Sequence, residues 1–225
     1  MTDSEAYVVT IDGPGGSGKG SLARNVATEL GFHLLDSGAI YRLLALKALR
    51  EGVDLNDEDA VLALLDHLDI RFETGAELTI PYLDGEDVSA ELRLESSGAA
   101  ASRVARHARV RSGLLAVQRA FFRPPGLVAD GRDMGTVVFP DARFKFFLYA
   151  SVEIRAQRRY KQLINMGLSA NIAQLQKEMV ERDERDRNRS ASPLVPAEDA
   201  LVVDSSLLDL NQVTELVLSH IRENS

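Results

Sequence analysis

The stretch Ile11-Asp12-Gly13-Pro14-Gly15-Gly16-Ser17-Gly18-Lys19-Gly20-Ser21 limits what this chain can fold into more than any other. An apolar run, Tyr7-Val8-Val9-Thr10-Ile11, precedes it, and Leu22, Ala23, Val26, Ala27 and Leu30 follow at helical spacing. The order is strand, glycine loop, helix. Glycines let the backbone turn sharply with its N–H groups facing inward, the helix start adds the positive end of a dipole, and Lys19 adds a cation. The segment therefore reads as a nest for a polyphosphate, with Gly13, Pro14, Gly15, Gly16, Ser17, Gly18, Lys19, Gly20 and Ser21 as its lining. Its spacing is that of G-x-x-x-x-G-K, but Gly20 stands between the lysine and the hydroxyl residue that normally follows it. That leaves Ser21 as the hydroxyl for a magnesium ion, directly or through water.

Downstream, Gly31-Phe32-His33-Leu34-Leu35-Asp36 reads as a second short buried strand, and Ser37-Gly38-Ala39-Ile40-Tyr41-Arg42 opens a helix to about Arg50. Ser37 suits a helix cap and equally a phosphate contact; Arg42 lies near the same helix start, where the dipole favours an anion. Asn56-Asp57-Glu58-Asp59 offers caps for a helix through Leu68. From Asp69 the period changes to two: Ile70, Phe72 and Thr74, then Leu78, Ile80 and Tyr82, with turns at Thr74-Gly75-Ala76 and Asp84-Gly85. A single helix is expected over about 101–122, with Val104, Ala108, Leu115 and Phe122 on its apolar side. Strands return at Gly126–Asp133, Arg143–Tyr149 and Leu201–Asp204, and Val213 to Ile221 forms a closing amphipathic helix.

Five strands with helices between them make an α/β protein whose core is a doubly wound, five-stranded parallel sheet. In such sheets ligands gather at the carboxyl ends of the strands, so Asp130, Arg132 and Asp133 are expected to face the crevice of the glycine loop. Arg155, Arg158, Arg159 and Gln162 fall at i, i+3, i+4 and i+7 and form one helical stripe; after the break at Asn165-Met166-Gly167 a second helix carries Arg182, Arg185, Asp186 and Arg189. Glu178, Glu181, Asp183 and Glu184 supply partners for a salt-bridged, solvated pair of helices. Beside a phosphate loop a second reading gains, because phosphoryl transfer needs cations around charge spread over equatorial oxygens. The expected organisation is one domain: a core of about 1–36, 126–153 and 190–225, an inserted acceptor-binding lobe of about 37–125 that includes a small β unit at 69–88, and a helical lid of about 154–189.

The 225 residues suffice for one sizeable core. No apolar run approaches the roughly 20 residues that span a bilayer, and the first residues, Met1 to Glu5, are polar and acidic, so a cytoplasmic location is expected. Cysteine is absent, which excludes disulfides and thiolate chemistry; a net charge of −8 argues against broad binding to nucleic acid or anionic membrane. His33, His67, His107 and His220 show no metal-ligand spacing.

Four blocks together resemble a known family: Gly13-Pro14-Gly15-Gly16-Ser17-Gly18-Lys19-Gly20-Ser21, Leu35-Asp36-Ser37-Gly38-Ala39-Ile40-Tyr41-Arg42, Ala129-Asp130-Gly131-Arg132-Asp133-Met134-Gly135-Thr136 and Glu181-Arg182-Asp183-Glu184-Arg185-Asp186-Arg187-Asn188-Arg189. They look like the bacterial cytidylate kinases, from about Tyr7 to His220. The resemblance implies transfer of the γ-phosphoryl group of ATP to CMP or dCMP, with magnesium; a monomer is the default expectation. It implies that Ser37, Arg42 and Arg132 hold the acceptor phosphate, that Ser102, Arg111, Asp133 and Arg189 surround the cytosine, and that Arg182 and Asp186 meet the pentose. Asp130 falls in the third block and joins this acceptor set. Lys19 would follow the migrating phosphoryl group, with Arg155, Arg158 and Arg159 as lid residues stabilising it. Gly15 is a departure, since some relatives have serine there. A kinase for AMP, UMP or a small metabolite such as shikimate, or a nucleotide-driven switch, would use the same loop; the arginine-rich lid and separate acceptor cluster favour transfer over switching.

Overall fold

The computed structural model describes residues 6–74 and 79–225. In chain order the elements are β1 (Tyr7–Asp12), α1 (Lys19–Leu30), β2 (His33–Asp36), α2 (Ser37–Arg50), α3 (Glu58–Ala63), β3 (Ile70–Thr74), β4 (Thr79–Leu83), β5 (Glu86–Asp87), α4 (Ser89–Leu92), α5 (Glu95–Val104), α6 (Ala108–Arg119), β6 (Gly126–Gly131), β7 (Phe144–Tyr149), α7 (Val152–Asn165), α8 (Ile172–Asn188), β8 (Leu201–Asp204) and α9 (Leu210–Glu223). A π-helical turn, Met134–Val138, lies between β6 and β7. The chain divides into two compact units, one of residues 1–35 with 119–225 and one of residues 36–118.

The first unit is built on a five-stranded sheet of order β2-β6-β1-β7-β8. The central strand β1 pairs in parallel with β6, Asp12 standing opposite Gly131, and with β7, Asp12 standing opposite Phe147. Because side chains alternate along a strand, β1 offers Val9 and Ile11 to one face and Val8, Thr10 and Asp12 to the other. The Val9–Ile11 face meets Val128, Phe146 and Leu148 from the neighbouring strands, and Leu22 and Val26 of α1 with Val217 and Leu218 of α9 close over it. Local chemistry sets the ends of these helices. α1 stops at Gly31 in left-handed conformation (φ 67°), α7 and α8 start at Ser151 and Asn171 caps, and α9 starts at a reciprocal capping box of Asp209 and Gln212.

The second unit packs α2 against a three-stranded antiparallel sheet, β3-β4-β5. Ala39, Leu43, Leu83, Val88 and Leu92 form its core, with Ile70 and Phe72 packed against it. Lys47 of α2 is 5% exposed and ties the sheet to the helix, its Nζ donating to both carboxylate oxygens of Asp84 at 3.0 and 3.1 Å. Of the two expected turns, Asp84-Gly85 joins β4 to β5, whereas Thr74-Gly75-Ala76 falls largely outside the described residues. The helix expected through Leu68 ends at Ala63 and continues as a 3-10 turn, Leu64–His67.

The single helix expected over about 101–122 is two helices, broken at 105–107. His107 sits in the break, buried, with its Nε2 2.8 Å from the Leu55 carbonyl oxygen. The inward face of α6 is Val110, Arg111, Leu114 and Gln118, and Phe122 is 41% exposed. The break shifts the phase of the buried face, so the residues from Val104 to Phe122 do not form one continuous apolar stripe.

Backbone geometry fixes the root of the glycine loop. Gly13 has φ 151°, and a Cβ there would come 2.1 Å from the Leu148 carbonyl oxygen in β7. Gly13→Ala is expected to cost at least about 2 kcal/mol, from a strained backbone and the displacement of β7; the fall in thermal unfolding midpoint measures it.

Candidate active site

The phosphate loop leaves the carboxyl end of β1 and enters α1 with no side-chain cap on the helix start, so the first amides of the helix are directed to the loop. Lys19 is buried in the first turn of α1; its Nζ donates to the Pro14 carbonyl at 3.3 Å and lies 3.9 Å from Asp130 Oδ1 at the end of β6. The Ser17 hydroxyl is buried and has no hydrogen-bond partner among the described residues. Unmet polar groups of this kind cost folding energy unless a ligand or water satisfies them.

Helix α8 lies over the loop. A Cβ on Gly15 would come 3.4 Å from Arg182 Nη1 and 3.4 Å from Arg132 Nη2, and one on Gly16 would come 3.2 Å from Met179 Cε. The absence of a side chain at Gly15 thus lets two guanidinium groups approach the loop, and its absence at Gly16 admits Met179 and the stem of Arg155. Arg132, one residue beyond β6, donates from Nε to Asp186 Oδ2 at 3.0 Å. Burial works against the charged form of Asp186, but Arg132, Arg182 and Arg189 outweigh it and hold the carboxyl below its usual range. Burial likewise opposes the charge on Arg132, and Asp186, with Asp130 and Asp183, holds its pKa above the ordinary arginine value. Arg189 completes the group, its Nε donating to the Ser192 carbonyl. Asp133 is 3% exposed, immediately before the π-helical turn.

The arginine stripe of α7 is divided in its employment. Arg155 is 1% exposed; its Nε donates to the Ala150 carbonyl at 2.9 Å, its Nη1 to the Gly15 carbonyl at 2.9 Å, and the pair Nη1 and Nη2 to the two oxygens of Asp183 at 3.2 and 2.5 Å. Arg158 donates to the Ser17 carbonyl at 3.3 Å, to the Ser205 carbonyl at 2.5 Å and to the Leu208 carbonyl at 3.2 Å. Both guanidinium groups therefore grip the backbone of the phosphate loop, and Arg158 also grips the loop between β8 and α9. Arg159 donates to Gln162 Oε1 at 2.7 Å, on the exposed side.

The remaining expected residues belong to the second unit. Ser37 is the first residue of α2 and is buried, but the cap is Asp36, whose carboxylate accepts from the Ala39 N–H at 2.9 Å. Arg42 follows one turn later and is half-buried. Ser102 on α5 and Arg111 on α6 are both buried; Arg111 Nη1 donates to the Ala105 carbonyl at 3.0 Å, and its guanidinium lies 5.3 Å above the Tyr41 ring. Two residues with structural weight at the site carry little signal in the sequence. Asp183 reads there as one of several acidic partners on α8, and Asp12 as the end of an apolar strand; only the folded chain gives each its partners.

A glycine loop rooted in the central strand of an α/β sheet, with buried Arg155 and half-buried Arg132 and Arg182 packed beside its glycines, defines a phosphate-loop nucleotide-binding protein. The cytidylate kinase family model matches residues 9–223. A cytidylate kinase of Photobacterium profundum is 56% identical over 98% of this chain and 96% of its own length, and that of Vibrio parahaemolyticus is 57% identical over 97% and 96%. The cytidylate kinase of Klebsiella pneumoniae is 56% identical over 96% and 95%. The chain belongs to the cytidylate kinase family. Among solved structures, a shikimate kinase from Acinetobacter baumannii aligns over 98% of this chain and 95% of its own at 15% identity and a TM-score of 0.45, a likeness that bears on neither acceptor nor mechanism.

The Arg155–Asp183 pair supports a prediction. Asp183→Ala leaves a buried guanidinium without its counter-ion and is expected to cost about 3–5 kcal/mol in urea unfolding. The double variant Arg155→Met with Asp183→Leu, which removes both charges, is expected to cost less than the two single changes added together.

Proposed function

We propose that the chain transfers the γ-phosphoryl group of ATP to CMP or dCMP, giving ADP and CDP or dCDP. The observation that carries this reading is the pair of guanidinium groups, Arg132 and Arg182, packed against Gly15 of the phosphate loop. Hydrolysis calls for charge on the transferring group alone, whereas transfer to another nucleotide calls for a second binding site beside the loop; Arg132 supplies charge for its phosphate, and Arg182 with Asp186 lies next to it. Membership of the cytidylate kinase family supports the choice of acceptor.

In this reading the loop amides from Gly13 to Ser21 cradle the donor phosphates. Ser37, Arg42 and Arg132 bind the acceptor phosphate, and one of its oxygens attacks the γ-phosphorus as the bond to the β,γ-bridging oxygen breaks and ADP leaves. Lys19, already beside the loop, follows the phosphoryl group, and Arg159 adds charge from the lid. Arg155 and Arg158, whose donors are engaged with loop carbonyls, serve by fixing the loop's shape, since a transfer site is effective only when its dipoles are set in place beforehand. Asp133, with Ser102, Arg111 and Arg189, selects cytosine: a carboxylate accepts from its exocyclic amine, where uracil offers only an acceptor. Asp130 supports Lys19 on the same edge, and Arg182 and Asp186 address the pentose.

Magnesium fits this site as an ion borne by the nucleotide. Among the described residues there is no group of three or more histidine, aspartate or glutamate side chains able to hold a metal alone, and Ser21 is exposed in the first turn of α1. Ser21 would hold the ion, directly or through water, and the ion would supply positive charge to offset that of the donor phosphates. Among the described residues no helix is long and apolar enough to cross a membrane. A monomer working among its nucleotide substrates in the cytoplasm completes the reading.

ADP release with ATP and magnesium is expected to depend strongly on CMP or dCMP and only weakly on UMP or AMP; release indifferent to every acceptor overturns the assignment. Lys19→Ala is expected to lower turnover about 100-fold or more with a much smaller effect on stability. Asp133→Ala is expected to raise KM for CMP while KM for ATP stays nearly constant, and equal losses for both substrates would count against its role in base selection.

A further inference from the structure

Asp12 is the last residue of β1 and the one before Gly13, and it is 4% exposed. Its Oδ1 accepts the Met134 N–H at 2.9 Å and its Oδ2 the Gly135 N–H at 2.8 Å. These amides open the π-helical turn that follows Arg132 and Asp133. The turn is seated closely on the sheet: a Cβ on Gly135 would come 2.9 Å from Thr10 Oγ1 and 3.2 Å from Lys145 Cδ. One side chain thus joins the root of the donor loop to the segment that carries two acceptor-binding residues.

We infer that Asp12 is a positioning residue for the transfer reaction: its carboxylate, by holding both the Met134 and the Gly135 amide, sets Arg132 and Asp133 in place relative to the phosphate loop. This rests on the proposed kinase activity and adds to it a residue that never touches substrate. A neutral side chain would satisfy one amide without burying a charge, whereas an ionised carboxylate satisfies both and fixes the direction of the turn. The arrangement is costly. Burial pushes the carboxyl up to about 7 against the pull of its two amide donors, and the neighbouring charges of Asp133 on the turn and Asp130 on β6 add to the rise. From β7, Lys145 packs beside Gly135 but commits its ammonium to Asp199 at 2.8 and 3.0 Å and to the Pro140 carbonyl. Arg132 is committed to Asp186, and Lys19 lies beside Asp130.

Protonation turns one acceptor oxygen into a hydroxyl aimed at an amide donor, so the double hold is complete above about pH 7 and loses one bond below it. The effect on stability has the opposite sign. A folded pKa above the ordinary 3.8 means that this group favours the fold most below about pH 4, and that its contribution declines as pH rises toward 7. Asp12 therefore costs stability where it serves function.

The test compares wild type with Asp12→Asn, which offers one acceptor at every pH. At pH 8 the variant is expected to raise KM for CMP about tenfold, as the loss of one charge-assisted hydrogen bond implies, with KM for ATP within about twofold and no loss of thermal stability. Its KM for CMP is expected to change less than that of wild type between pH 8 and pH 6; the titration of the CMP phosphate is common to both proteins. Unchanged KM values, or equal rises for both substrates, overturn the inference. In parallel, NMR amide shifts of Met134 and Gly135 in wild type are expected to titrate together with a midpoint near pH 7, and their failure to move also overturns it. The amide titration reads Asp12 even if no acceptor stimulates ADP release, which would instead refute the kinase reading.

Discussion

The functional edge of the first unit depends on the Arg155 guanidinium. A glycine loop has no side chains with which to hold its own shape, and its conformational freedom opposes any single arrangement. Arg155 supplies the missing constraint by donating at once to the Gly15 carbonyl, to Ala150 at the end of β7 and to Asp183 on α8. Burying that charge is tolerable only because Asp183 answers it in bidentate geometry and backbone carbonyls take further donors. Arg158 repeats the device on Ser17, Ser205 and Leu208. The loop is held by what packs over it.

Around that fixed loop the charges are arranged in pairs with spare positive potential. Asp186 is hydrogen-bonded to Arg132 and lies in the field of Arg182 and Arg189 as well. That carboxylate offsets the repulsion the three guanidinium groups would otherwise exert on one another. Asp12 contributes differently. It faces backbone amides, and its environment opposes ionisation through burial and through Asp130 and Asp133. The same edge therefore holds carboxylates in contrasting states, one held below its usual range by cations and one raised by isolation.

Much of the fold was legible in the linear chain. The five sheet strands, the helix after the loop and the paired arginine helices follow from periodicity and caps, because apolar spacing is dictated by which face must be buried. The stretch from 95 to 119 was legible only in part. Its apolar residues suit one long helix until His107 turns toward the Leu55 carbonyl and resets the phase, a contact with a partner distant in sequence. The π-helical turn after Asp133 is held by Asp12 from 122 residues away, and no local pattern announces it.

The sequence by itself determined the chemistry on offer: a phosphate loop with Lys19, arginines on one face of each of two helices, carboxylates at the ends of strands, and membership of a kinase family. What the tertiary structure decided was the assignment of those charges. Arg155 and Arg158 share their helical stripe with Arg159, yet the first two are turned onto loop carbonyls and the third onto Gln162. Asp183 and Asp186 stand one turn apart on α8, yet one completes a buried clamp and the other gathers a cationic cluster. Helical spacing fixes which side chains share a face, but a guanidinium finds its partner by distance and desolvation, and those are properties of the packed chain alone.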